Sequence, residues 1–85
     1  MSLEEIKTME IKSSTATGTT SANGIIKPNI PVASKAILSA YCTSITGIVV
    51  TSGETGGNWF FRLTDGTGGA YASQSVTVKY WYIDL

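Results

Sequence analysis

The 85-residue chain contains no histidine and a single cysteine, Cys42. Those two shortages remove most of the devices by which small proteins hold themselves together or do chemistry. An internal disulfide needs two cysteines, and a structural zinc site needs several cysteines or histidines, so neither can staple this fold. Without histidine the usual nucleophile–base pair cannot form, and no nucleophile-elbow sequence occurs. Charge is sparse as well: six basic and six acidic residues cancel, and only 14% of positions are charged. The cations Lys7, Lys12, Lys27, Lys35, Arg62 and Lys79 are scattered singly, which leaves no patch for neutralising phosphates and argues against a nucleic-acid partner. No apolar run approaches the roughly 18 residues of a membrane-spanning helix, and no signal peptide opens the chain, so membrane insertion is not expected.

The carboxylates Glu4, Glu5, Glu10, Glu54, Asp65 and Asp84 fall near termini and turns, where they read as solvated charges rather than a catalytic pair. Asp65-Gly66-Thr67-Gly68-Gly69 lacks the repeated carboxylates of a calcium loop, and no helix follows it to receive a phosphate. No catalytic residue, metal ligand or cofactor site is assigned, and an enzyme is not expected.

What the chain does contain is strand signal. Ser75 to Asp84 is a run of β-branched and aromatic residues without glycine or proline. Val76, Val78, Tyr80 and Tyr82 share one face; Thr77, Lys79, Trp81 and Ile83 share the other. Asn58 to Thr64 places Trp59, Phe61 and Leu63 opposite Phe60, Arg62 and Thr64. Lys35 to Thr43 alternates Ala36, Leu38, Ala40 and Cys42 with Ile37, Ser39, Tyr41 and Thr43, which makes Cys42 a small buried hydrophobe. Shorter strands are expected at Ile25–Lys27 and Ile48–Thr51. Turns are expected at Asn23-Gly24, at Ser52–Gly57 and at Asp65–Gly69, while Pro28 and Pro31 confine their segment to an edge or a crossing.

The N-terminal segment is ambiguous: Leu3, Ile6 and Met9 suit a helix, whereas Lys7, Met9 and Ile11 alternate. A strand over Ile6–Ser13 is the reading adopted, with Ser13–Gly24 as a loop or loosely paired edge. The organisation expected is residues 1–16 as an N-terminal strand or flexible segment and residues 17–85 as one domain. Its fold class is all-β, a small antiparallel β-sandwich of about six strands.

A chain this short buries only about 60% of its unfolded surface, so its single core is close to marginal. With disulfides and zinc removed, association with copies of itself is the remaining staple. Two strands, Trp59–Leu63 and Val78–Ile83, carry large apolar residues on both faces, and a solvated sandwich strand needs only one. Tyr80, Trp81 and Ile83 are accordingly assigned to an oligomer interface. Aromatic faces stack on sugar C–H groups and amide, carboxylate and guanidinium groups pair with hydroxyls. On that chemistry Asn58, Arg62, Asp65 and Tyr71 are assigned as candidate ligand-binding residues, on the loops Ser52–Asn58 and Asp65–Ser73.

Two segments carry a resemblance. Gly18-Thr19-Thr20-Ser21-Ala22-Asn23-Gly24 looks like the T-x-A-x-G entry to the C-terminal domains of bacteriophage tail fibres, and Val76-Thr77-Val78-Lys79-Tyr80-Trp81-Tyr82-Ile83 resembles their final strand. The order of strands between them is also similar, so that the resemblance covers about Thr17 to Leu85. Tyr82 stands where those endings commonly have a small residue. The H-type lectins share a related architecture. The resemblance implies a β-sandwich assembled as a homotrimer, located on a phage virion or outside the cell after synthesis in the bacterial cytoplasm, and adhering to surface glycans. A purely structural assembly module and a stand-alone H-type-like lectin are the alternatives.

Overall fold

The computed structural model describes residues 10–85, which contain six strands and no helix. In chain order these are β1 (Lys12–Thr19), β2 (Ile25–Ile26), β3 (Lys35–Cys42), β4 (Val49–Thr55), β5 (Asn58–Thr64) and β6 (Ser75–Asp84). They form two three-stranded antiparallel sheets, ordered β1-β6-β3 and β2-β5-β4. The two strands with the densest β-branched and aromatic content, β5 and β6, take the central positions, where both neighbours satisfy their backbone groups. Phe61 and Leu63 of β5 and Ile26 of β2 meet Val76, Val78 and Tyr80 of β6 and Cys42 of β3 in one core. The Phe61 and Tyr80 rings lie 5.5 Å apart across the gap between sheets. The all-β expectation and the two antiparallel sheets are therefore observed.

Three local expectations change. Of the strand expected over Ile6–Ser13, residues 6–9 lie outside the described residues, Glu10 and Ile11 are not in a strand, and Lys12 and Ser13 open β1, which runs on to Thr19. Of the segment expected as a loop or loosely paired edge, Ser13–Thr19 belongs to an edge strand paired in full register, from Lys12 opposite Tyr82 to Thr19 opposite Ser75, and Thr20–Gly24 forms the expected loop and turn. The strand needs no large side chains because backbone pairing with β6 holds it. Its inward positions Ala16 and Gly18 are small, and the Gly18 backbone lies close to Ile26 of the facing sheet. The boundary expected at residue 16 falls inside this strand.

The alternation expected in β3 breaks at Leu38. The register with β6 shifts between Ile37 and Ser39, so one extra residue sits opposite Trp81. This β-bulge turns Leu38 to solvent, half exposed, and keeps Ile37, Ala40 and Cys42 inward.

The third change is in the β4–β5 hairpin. Ser52–Thr55 continues β4 instead of forming the turn, and Gly56 and Gly57 alone make a two-residue turn, both at positive φ (58° and 82°). This is the backbone shape that two-residue hairpins demand and that glycine adopts without strain. Gly53 stands opposite Phe60, and a Cβ there would lie 2.5 Å from the end of the Phe60 ring. Phe60 is therefore covered by its own hairpin. Val49, beside Thr64 on the same outward face, stays half exposed.

Candidate functional site

Two regions have a composition beyond what the core requires. The first lies at the hairpin end of the β2-β5-β4 sheet. After β2 the chain meets Pro28 and Pro31, which cannot extend a paired central strand. Instead the segment runs beside the start of β5. The Ile30 carbonyl accepts a hydrogen bond from the Trp59 amide (2.8 Å), Gly57 accepts one from the Val32 amide (3.0 Å), and Pro31 bridges to Asn58. Ile30 is buried in the core, which leaves Asn29 in the left-handed region (φ 63°) and exposed. Asparagine tolerates that conformation better than most side chains.

Between this segment and the hairpin tip is an open hollow of ≈ 310 Å³, lined by Lys27, Asn29, Thr55, Gly56, Asn58 and Trp59. The Trp59 indole is fixed, because its Nε1–H donates to the Lys35 carbonyl at 2.9 Å. Glu54, the nearest carboxylate in sequence, accepts the Gly57 amide at 3.1 Å and so serves the turn. Lys27 is exposed, and among the described residues the ion pairs are Lys12 with Asp84 (2.8 Å) and Lys35 with Asp84 (2.7 Å). The hollow thus offers one ammonium, two amides, a hydroxyl and an oriented aromatic ring.

The second region is the outer face of the β1-β6-β3 sheet. Side chains at Thr77, Lys79, Trp81 and Ile83 of β6 point away from the core, flanked by Ser13, Thr15, Thr17 and Thr19 of β1 and by Ala36, Ser39 and Tyr41 of β3. One half of this face is serine and threonine. The other half is apolar: Tyr41 stacks on Trp81 at 5.5 Å between centroids, Lys79 lies over the Trp81 ring, and Leu38 projects from the bulge. Ile11 precedes β1 in line with Ile83 and, like the terminal Leu85, is more than 60% exposed. The far end of the sheet is clamped by Asp84. Hydrogen bonds from Lys12 and Lys35 hold its carboxyl below the usual carboxylate value, and the same contacts raise both ammonium groups.

The residues assigned from sequence do not converge on one place. Asn58 lines the hollow. Arg62 is exposed on the outer face of the β2-β5-β4 sheet, beside Ile25 and Thr51. Asp65 and Tyr71 sit beyond the opposite end of β5, whose seven residues extend over about 20 Å. Asp65 Oδ1 accepts hydrogen bonds from the Thr67 amide and hydroxyl and from the Gly69 amide, so the loop consumes its carboxylate. Those bonds, led by the Thr67 hydroxyl, also lower its pKa. Tyr71 is half-buried against the core, its amide donating to Leu63. Among the interface assignments, Trp81 and Ile83 lie on the outer face, whereas Tyr80 is 6% exposed in the core and has no outward surface to offer.

Thr55 and Gly56 fall within the Ser52–Asn58 loop expected to present a ligand surface, whereas Lys27, Asn29 and Trp59 are not among the residues assigned from sequence. Part of the signal was present: two prolines three apart force a non-strand path, and a Gly-Gly pair marks the hairpin tip. Nothing in the sequence says that the two meet. Among the described residues no cluster of histidine, cysteine, aspartate or glutamate could hold a metal ion. No protein-family model matches the chain, and neither a curated protein nor a solved structure matches it.

Proposed function

We propose that this chain is a non-enzymatic adhesion module that associates with copies of itself, in the manner of the tip of a bacteriophage tail fibre. Copies pack through the outer face of the β1-β6-β3 sheet, as a trimer, and leave the hairpin end of the other sheet free for a surface glycan. Repetition of a weak site on one rigid assembly then supplies avidity. The observation that carries the reading is the apolar half of the outer face, where Leu38, Tyr41, Trp81 and Ile83 lie together on a sheet. The trimer and the phage setting rest on the two sequence segments that resemble tail-fibre domains.

Magnitude limits the strength of the association. Ile11, Leu38, Tyr41 and Leu85 expose roughly 400 Å² together, about the size of the largest apolar patch on an ordinary monomer. A standard interface buries about 800 Å² per partner, so the serine and threonine half of the face must be covered too. Such an interface supports association in the micromolar range rather than an obligate assembly. Light scattering over a dilution series tests this. Three copies of the 9.0 kDa chain scatter as about 27 kDa at high concentration and fall towards the monomer on dilution; a monomer at every concentration up to about a millimolar contradicts the proposal.

A purely structural assembly module is the second reading. It is favoured by the Asp65 loop, whose polar groups are turned on one another instead of outward.

A further inference from the structure

The hollow at the hairpin end has a more definite chemistry than a generic glycan surface. We infer that it binds a single acidic sugar residue, such as a uronate, with the carboxylate on Lys27, ring hydroxyls on Asn29 and Asn58, and the C–H face of the ring on Trp59. This rests on the adhesion reading above and narrows its ligand.

Each part of the assignment comes from a lining group. Lys27 is the one cation among the six lining residues and none of them is a carboxylate. The neighbouring Glu54 carboxylate is engaged by the Gly57 amide at the turn, which leaves the Lys27 ammonium as the charged group facing the hollow. A single ammonium matches one carboxylate charge; a phosphate ester carries up to two and is better served by several cations or a guanidinium fork. The two amides each offer a donor pair and an acceptor, the combination that vicinal hydroxyls satisfy and that a bare carboxylate leaves half used. The indole ring is held by its bond to Lys35 before any ligand arrives, so stacking costs no further ordering of that side chain. Asn29 is likewise placed in advance, on a left-handed residue between two prolines and beside an anchored Ile30. Finally, ≈ 310 Å³ is at the lower bound of small-molecule clefts, about 300 Å³, which suits one ring with its neighbours running out through the open side.

The test uses the intact, isotopically labelled chain in solution. Sodium glucuronate, glucose and sodium acetate are titrated at constant ionic strength while the Trp59 indole N–H, the Asn29 and Asn58 side-chain amides and the Gly56 amide are followed by NMR. Saturable shifts at these groups are expected with glucuronate, about two- to fivefold weaker affinity for glucose, as a half-solvated ion pair contributes, and no saturable shift with acetate. Lys27→Gln should bring glucuronate to the level of glucose. Asn29→Asp, which keeps the backbone conformation accessible, should weaken glucuronate further. Equal response to glucose and glucuronate, reproduction of the shifts by acetate, or a preference surviving in Lys27→Gln overturns the assignment. The readout is independent of assembly because the hollow and the proposed interface lie on different sheets. A monomer that binds glucuronate here sinks the assembly and keeps the site; an assembled chain silent to glucuronate does the reverse.

Discussion

Replacing Gly53 by alanine puts two effects of opposite sign against each other at one position. Removing a glycine from the interior of β4 restricts the unfolded chain and favours the strand by about 0.5–1 kcal/mol. The new methyl, however, would lie 2.5 Å from Phe60 Cζ and 2.8 Å from Cε1, so the ring must swing off the hairpin. Phe60 is half-buried, and moving its ring re-exposes roughly 60 Å² of apolar surface, which costs about 1.5 kcal/mol. The ring contact wins, and Gly53→Ala is expected to destabilise the protein by about 0.5–1 kcal/mol. In a Phe60→Ala host the obstacle is gone and the same substitution should stabilise by a similar amount. Urea unfolding of the four proteins closes the cycle, with an expected coupling of about 1.5 kcal/mol and an unchanged denaturant slope. The decisive feature is the reversal of sign. If Gly53→Ala stabilises the chain with Phe60 intact, the ring is not packed over Gly53, and the outward apolar face of β5 must be explained by a partner after all.

Other perturbations probe separate features. Thr20, 3% exposed, both accepts from the Gln74 amide (2.9 Å) and donates to the Gln74 carbonyl, so Thr20→Val should cost about 1–3 kcal/mol in urea unfolding while Thr20→Ser costs less. Leu63→Ala, at a fully buried position, should cost about 2–5 kcal/mol, enough to leave so small a domain largely unfolded by circular dichroism. The Asp84 and Asp65 carboxyls are depressed below 3.8, so their contribution is complete above that value and disappears as pH falls through their lowered values. Lys12 and Lys35 are raised above 10.5, so theirs is complete below that value and is lost at higher pH. Thermal midpoints should therefore stay level across neutral pH and fall at both extremes. Asp84→Asn should flatten the alkaline fall and lessen the acid one.

The strands with unmistakable chemistry were readable in advance. β5 and β6 announce themselves through alternating aromatic and β-branched residues, and the structure places them at the centres of the two sheets. β1 was harder to see because its stabilisation is borrowed. Thr15, Thr17 and Thr19 alternate with Ala16 and Gly18, a strand pattern in which small size, not hydrophobicity, suits the inward face. The bulge at Leu38 cannot be read from β3 alone, since it exists only in the register with β6. Phe60 shows the same dependence: its cover is a missing side chain at Gly53, on another strand. The hollow is the clearest case, because its lining comes from three separate stretches, Lys27 to Asn29, Thr55 to Gly56, and Asn58 to Trp59, and only the folded path of the proline segment brings the first to the others. Candidate ligand residues chosen by type alone consequently scattered along both ends of β5.

Leu38→Glu puts to the test the proposed meeting of copies at the outer face of the β1-β6-β3 sheet. Leu38 is half exposed on the bulge, so a glutamate there leaves the monomer's core untouched. In an interface it would leave a desolvated, unpaired charge, a cost of several kcal/mol. Sedimentation equilibrium on wild type and variant, beside their urea unfolding curves at low concentration, separates the two effects. The variant is expected to keep near-wild-type stability while its association weakens at least about a hundredfold. A Leu38→Glu chain that assembles as well as wild type would contradict the proposed interface.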